Sequence, residues 1–140
     1  MSACIVIEDG RPWWAANWAY DGVVRSIAAA LPEEALAQAL RTWLGEQTVE
    51  KTGVGDVDLR ELSPSARTLF RAAARRAFAI ARTGPPPTWG DPNFFRPWID
   101  GFEDLIRLLD SVDPGEDPAS FNPDPTRLIN PTGKRVGPGW

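Results

Sequence analysis

The sequence contains no histidine and a single cysteine, Cys4. Histidine is the usual general base and the usual partner of a nucleophilic serine or cysteine, so its absence excludes Ser–His and Cys–His dyads. Zinc sites are built mainly from cysteine and histidine, so the usual zinc sites are excluded as well. One cysteine cannot form an intramolecular disulfide, which favours a reducing cytosol. We therefore expect neither a metal site nor a cofactor.

Long apolar runs are also missing. No stretch approaches the roughly 20 apolar residues that a membrane-spanning helix needs. The first ten residues, MSACIVIEDG, lack the basic region and the longer apolar core of a signal peptide. These absences predict a cytoplasmic protein without a membrane partner.

Motifs for catalysis are few and weak. Residues 53–56, GVGD, resemble a phosphate loop superficially, but the lysine and the spacing of a P-loop are absent, so we interpret them as a turn. Asp56 and Asp58 would share one face of a strand and could hold a divalent metal, although two nearby acids are more typical of a solvated strand edge. The sequence therefore favours a protein that is not an enzyme.

What the chain does contain is a sizeable core. It has 140 residues, 43% of them hydrophobic, and a net charge of −4. Such a chain can bury roughly two-thirds of its unfolded surface as one domain. Residues 1–112 carry the periodic apolar patterns, whereas residues 113–140 are rich in proline and glycine. We expect one helical domain over residues 1–112 and an extended arm over residues 113–140, packed on the body or on a partner.

The clearest helical pattern covers residues 63–83. Ser63 is suited to cap the helix, and Pro64 occupies the first position, where a missing N–H costs nothing. Gly84 is predicted to end the helix in a left-handed conformation, and prolines 85–87 prevent its continuation. One apolar arc is expected to face the core, made of Ala66, Leu69, Phe70, Ala73, Ala77, Ile80 and Ala81.

Three further helices are predicted, over residues 22–31, 32–46 and 98–112. Asp21 is placed to cap the first of them. Pro32 ends that helix and opens the next one. Residues 46–56 are expected to form a polar loop.

Two short segments, residues 3–8 and 57–62, predict a pair of strands, with a turn at Asp9 and Gly10 after the first. The expected fold class is therefore mainly α. About four helices pack around the helix of residues 63–83, with a minor two-stranded β element and an extended proline-rich C-terminal arm.

Aromatic residues concentrate in two places. Residues 11–20 hold Trp13, Trp14 and Trp18, which could form a stacking platform for bases or sugars or could cover the end of the helical core. We favour the second interpretation. Residues 84–97 combine five prolines with Trp89, Phe94 and Phe95. This segment either straps across the helices or presents an aromatic binding loop.

Charged side chains form two clusters. Arginines follow one stripe of the helix over residues 63–83, and carboxylates follow the side of the last helix opposite its apolar face. Either cluster could be an ordinary solvated face or could contact a partner of opposite charge. Charge complementarity would then raise the association rate and the specificity of binding. The arginines are Arg67, Arg71, Arg75 and Arg82, and the acids are Asp100, Glu103, Asp104 and Asp110.

Three segments together carry a resemblance: CIVIEDG at residues 4–10, DLREL at residues 58–62, and WGDPNFFRPWIDGFEDLIRLLD at residues 89–110. Their pattern resembles the small acidic immunity proteins encoded beside bacterial polymorphic toxins. The resemblance implies a protein that binds one toxin domain in the cytosol and blocks its active site or substrate entry. We expect the partner to be a protein and the contact residues to be Trp89, Asp91, Asp100, Glu103, Asp104 and Asp110.

Two alternatives remain open from the residues alone. A small enzyme could use carboxylates that cluster if the two strands pair, namely Glu8, Asp9, Asp56, Asp58 and Glu61. A nucleic-acid binder could use the arginine stripe with tryptophans for stacking, although the negative net charge opposes this. The oligomeric state is not fixed by the sequence.

Overall fold

The computed structural model describes residues 2–84, 92–112 and 127–129. Within them the protein is mainly α with a minor β element, as predicted. Where about four helices and two strands were expected, the described residues form five α-helices and three strands. These are β1 (Ser2–Val6), β2 (Pro12–Ala16), α1 (Asn17–Ala29), α2 (Ala35–Gly45), α3 (Val49–Thr52), β3 (Asp56–Asp58), α4 (Pro64–Thr83) and α5 (Pro92–Asp110).

Helix α4 has the bounds that the sequence predicted. The Ser63 hydroxyl accepts a hydrogen bond from the Ala66 backbone N–H at 3.2 Å, so Ser63 is the N-cap. The helix packs against α1, α2 and α5, and α1 in turn packs against α2, α3, β1 and β2. Ile80 was predicted to lie on the apolar arc that faces the core, but it is exposed.

The predicted left-handed end of α4 is wrong. Gly84 has φ −87° and ψ 177°, which is extended backbone. Its N–H donates to the Ile80 carbonyl at 2.8 Å and closes the last helical turn. A proline follows Gly84 in the sequence, and a residue before proline is biased toward extended conformations. That bias explains why Gly84 is extended where a left-handed conformation was predicted.

The sheet has the order β2–β1–β3. The predicted partner of the first strand is correct, and β1 pairs with β3 in parallel, with Cys4 opposite Asp56. Strand β3 is shorter than predicted because the chain enters a short 3₁₀ helix, Leu59–Glu61. Strand β2 was not predicted; it pairs antiparallel with β1, with Ile5 opposite Trp13, after a turn at Gly10 with φ 90°.

Several helix starts differ from the sequence prediction. Helix α1 begins at Asn17, so Asp21 lies inside it instead of capping it. The Asp21 carboxylate accepts hydrogen bonds from the N–H groups of Val49 and Glu50 at 2.7 and 3.1 Å, and thereby caps α3, which lies within the predicted loop. Helix α5 begins at Pro92 and contains Pro97, where residues 84–97 were expected to be a connection.

The core lies between one face of the sheet and the helices. The inner face of the sheet carries Ile5, Trp13 and Val57, which share one register row. Helix α1 packs against β1 and β2, and α5 packs against β2, while α2 and α4 pack against the other helices. The largest fully buried side chains are Tyr20, Phe70 and Phe102. None of the helices in the described ranges has the length and apolar character needed to cross a bilayer.

Residues 127–129 lie against the start of α4. The Ser63 N–H donates to the Leu128 carbonyl at 2.7 Å, and Ile129 forms an isolated antiparallel bridge with Leu62. The Leu128 side chain is half-buried against the core. The division of the chain at residue 113 into a body and an arm stays a prediction.

Candidate interaction surface

The predicted contact residues lie mainly on α5. Asp100 pairs with Arg96 at 3.5 Å, and Glu103 pairs with Arg107; both pairs join residues one helical turn apart. Asp104 is exposed and has no ion pair within the described part of the chain. The other two predicted residues, Trp89 and Asp91, lie outside the described residues.

The carboxylates of α5 differ in what they join. Asp110 pairs with Arg75 of α4, with the Arg75 Nε 3.0 Å from the carboxylate, and so connects two helices. The Asp100 and Glu103 pairs stay within one exposed helix face, where such pairs contribute about 0.3–0.5 kcal/mol. They do not fasten α5 to the body, so this part of the acidic surface remains available to another molecule.

The arginine stripe of α4 is largely committed to the fold. Arg67 is buried, with 6% of the residue exposed, and it donates to the carbonyls of Leu59 and Arg60 at 2.8 and 3.1 Å. Arg71 pairs with Glu8, and Arg75 pairs with Asp110 as described above. Arg67 and Arg71 therefore face the protein itself, whereas Arg75 is half exposed beside its carboxylate partner. Two of the four arginines of the predicted stripe are thus withdrawn from contact with phosphates.

The carboxylates proposed for a small enzyme are also held by arginines. Glu8 pairs with Arg71 on α4. Asp58 is buried and accepts hydrogen bonds from the Arg60 backbone and side chain, so it caps the 3₁₀ helix.

Asp9 pairs with the side chain of Arg11 at 2.7 Å beside the turn between β1 and β2. Within residues 2–84, 92–112 and 127–129, no three cysteine or acidic side chains approach closely enough to hold a metal ion. Glu8, Asp9 and Asp58 are thus each paired with a different arginine, and Asp56 accepts a hydrogen bond from the Cys4 thiol at 3.9 Å.

Tyr20 is a titratable group whose pKa lies well above its usual value. Its hydroxyl donates to the Gln47 carbonyl at 2.7 Å, and its ring is fully buried. Burial, reinforced by the carboxylates of Asp56 and Asp21, raises the pKa of Tyr20. A Cβ added at Gly55 would lie 2.7 Å from the Tyr20 ring, so the backbone at Gly55 packs directly against that ring. Tyr20 is thus a packed structural group.

Several aromatic side chains lie on the surface, whereas the interpretation favoured from the sequence placed the tryptophans of residues 11–20 over the core. Trp14 is 63% exposed, Phe94 56% and Trp18 43%. The rings of Trp18 and Phe94 are in contact, with centroids 5.6 Å apart and planes inclined at 55°.

Neighbouring tryptophans behave differently. The Trp13 indole N–H donates to the Gly101 carbonyl at 2.9 Å, and the Trp98 indole N–H donates to the Ala19 carbonyl at 3.2 Å. The interpretation that the first tryptophans cover the core is therefore right for Trp13 and wrong for Trp14 and Trp18, which are exposed. Strand alternation in the segment PWWAA is the signal that could have separated Trp13 from Trp14, because successive side chains of a strand point to opposite faces.

The described surface combines exposed aromatic rings with exposed carboxylates, and its function is inferred from these side chains. No protein-family model matches this chain, and no curated protein or solved structure is significantly similar to it.

Proposed function

We propose that this protein is a protein-binding module and, within that class, an inhibitory immunity protein that neutralises a cognate bacterial toxin in the cytoplasm by binding it. The observation that carries the proposal is the exposure of Trp14, Trp18 and Phe94, whereas the other aromatic rings among the described residues are buried or half-buried. Tryptophan is among the side chains that contribute most to binding when an interface buries it. Trp18 and Phe94 form a contacting pair of exposed rings, and an exposed apolar patch of this kind is typical of interaction sites.

The aromatic side chains are held by regular structure. Trp14 lies on β2, whose neighbouring residue Trp13 is fixed to α5 through its indole N–H. Trp18 is in the first turn of α1, next to Ala19, which Trp98 holds. Phe94 is in the first turn of α5. A surface that is ordered before binding loses little conformational entropy in the complex, which favours tight association.

Charge indicates the chemistry of the partner. The chain has a net charge of −4, and Asp100 and Asp104 are exposed on the helix that also carries Phe94. Complementary charge accelerates encounter and rejects partners of the same sign. We therefore expect the partner to present a basic surface around the pocket or groove that receives the aromatic rings.

Co-purification with the product of the adjacent gene tests the proposal. Expression of that product alone should stop growth, and expression with this protein should restore growth through a stable complex. Trp18→Ala and Phe94→Ala should each weaken the complex by about 2 kcal/mol, which is roughly thirtyfold in Kd.

Ile80→Ala is the matched control, because Ile80 is also an exposed apolar residue but lies on α4. Its Kd should stay within about twofold of the wild-type value. Absence of binding together with absence of growth rescue would refute the immunity function. Binding without rescue would retain the protein-binding module and reject inhibition.

A further inference from the structure

We propose that the backbone of Leu62 and Ser63 is a docking site for an extended peptide, and that residues 127–129 of the same chain are its exchangeable ligand. The inference concerns a different surface from the exposed aromatic rings, and it does not depend on the proposed function. The ligand it defines is an extended segment with one inward apolar side chain between two outward ones.

The bound segment has the features of a short strand. Its central residue supplies the carbonyl that accepts the Ser63 N–H at 2.7 Å, and the side chain of that residue, Leu128, is half-buried against the core. Arg127 and Ile129 on either side of it are exposed. Alternation of one inward and two outward side chains is the period of a β-strand, and Ile129 forms the bridge to Leu62.

The receiving site requires an acceptor at this position. Ser63 is 1% exposed, and its hydroxyl already accepts the Ala66 N–H at the start of α4. The preceding N–H, that of Leu62, donates to the Leu59 carbonyl. The Ser63 N–H is directed to Leu128 instead, and a buried N–H without an acceptor is unfavourable. An extended segment that offers a carbonyl therefore fits the site by its backbone, as in strand addition.

The contact is small enough to open without unfolding the body. Among the described residues it comprises the Ser63–Leu128 backbone hydrogen bond, which is part of the Leu62–Ile129 bridge, and one half-buried leucine. Residues 111–126 join it to the end of α5. Regions with few buried contacts open locally, at lower free energy than the core. Because the internal ligand acts at the high effective concentration of a tethered segment, a free peptide can be detected only after the internal one is weakened.

Amide hydrogen exchange in the full-length chain measures occupancy at Ser63. In the wild-type protein the Ser63 amide should exchange slowly, but faster than the Phe70 amide in the middle of α4. Leu128→Asp places a charge against the core and should accelerate Ser63 exchange at least tenfold while Phe70 exchange is unchanged. Arg127→Ala is the matched control, since Arg127 is exposed, and it should leave Ser63 exchange as in the wild type.

Exchange in trans is tested with a capped synthetic peptide of residues 124–132, DPTRLINPT. Added to the Leu128→Asp protein, it should restore slow Ser63 exchange, and the same peptide carrying aspartate at the leucine position should not. If Leu128→Asp also accelerates Phe70 exchange, the milder full-length Leu128→Ala variant replaces it under the same criteria.

Three results would overturn the proposal. The first is slow Ser63 exchange in a Leu128 variant without peptide. The second is failure of the wild-type peptide to slow Ser63 exchange while Phe70 remains protected. The third is Ser63 protection in the wild type that rises with protein concentration, because a second copy would then supply the segment and occupancy within one chain would be wrong.

Discussion

The arginines of α4 and the carboxylates of α5 are two charge clusters that the sequence presents alike, and the fold uses them differently. Arg67 and Arg71 of α4 turn toward the body, where one binds backbone carbonyls and the other binds Glu8. Asp100 and Glu103 of α5 stay at the surface and pair only within their own helix among the described residues. A cluster of one sign is therefore not in itself a binding surface.

Side-chain length and the needs of neighbouring backbone explain the difference. The 3₁₀ helix Leu59–Glu61 lies beside the start of α4 and leaves carbonyl groups that need donors. A long arginine can bury its aliphatic part and still present several N–H groups to them. The carboxylates of α5 are short and lie opposite its buried face, so they stay in water. Asp110 is the exception because Arg75 reaches it from α4.

The largest expected effect comes from removing an inward arginine. Arg67→Met keeps the buried apolar volume but leaves the Leu59 and Arg60 carbonyls without the guanidinium donor. We expect the free energy of unfolding to fall by about 2–4 kcal/mol, measured by urea denaturation. Arg76→Met is the control, because Arg76 is an exposed arginine of the same helix, and its effect should stay within about 0.5 kcal/mol. Equal effects at both positions would remove the distinction between inward and outward charges.

An intermediate effect on the free energy of unfolding is expected at Tyr20. Because Tyr20 is a buried polar group without charge, it tests whether inward-facing polar side chains stabilise the fold even when they are neutral. Tyr20→Phe removes the hydrogen bond to the Gln47 carbonyl and should cost about 1 kcal/mol at neutral pH. Burial raises the pKa of Tyr20 above its ordinary value of 10.0. The unfolded chain therefore loses the phenol proton first, so the wild-type free energy of unfolding should be undiminished below pH 10 and should fall as the pH rises above it.

The Tyr20→Phe variant should lack the part of the alkaline loss of stability that comes from Tyr20. The difference in unfolding free energy between the two proteins therefore separates the contribution of Tyr20 from those of lysine and cysteine. Tyr20 is the only tyrosine in the chain, so tyrosinate absorbance reports on it alone. Absorbance that rises with a midpoint near pH 10 while the protein is still folded would contradict the structural role.

The smallest effect on stability is expected on α5. Asp100→Asn and Asp104→Asn should each change the free energy of unfolding by less than about 0.5 kcal/mol, because exposed charges contribute little to folding. The double variant should nevertheless slow association with the proposed basic partner, most clearly at low salt, while its dissociation rate changes little. An unfolding free energy that falls by several kcal/mol would show that these acids hold the body together, as Arg67 does.

The sequence predicted α4 well because its signals are local. A serine cap, a proline at the first helical position and a 3.6-residue apolar period all lie within the helix itself, and each acts over one or two turns. Pairing of β1 with β3 was also predictable, since few other segments could satisfy the first strand. The acidic face of α5 was located correctly as an exposed helix side, although whether a partner contacts it stays a prediction.

The errors have a common origin in long-range contacts. Trp13 and Trp14 are neighbours in a segment that looks like aromatic cover, and only pairing with β1 directs one inward and the other to solvent. Aspartate often caps helices, and Asp21 was expected to cap the helix that follows it. Its carboxylate instead accepts from the first N–H groups of α3, which is distant in sequence. Helix α5 includes Pro97 because packing of its apolar side can compensate for one missing hydrogen bond.

By itself the sequence determined the mainly helical class, the position and ends of helix α4 within one turn, and the absence of any chemistry that requires histidine or more than one cysteine. Those properties follow from residue types and from periodicities that act over a few residues. Only the tertiary structure decided which arginines bind carbonyls, which tryptophan stays in water, and that residues 127–129 supply the acceptor for the Ser63 N–H. Each of these depends on contacts between segments far apart in the chain, where burial and hydrogen-bond satisfaction outweigh local preference.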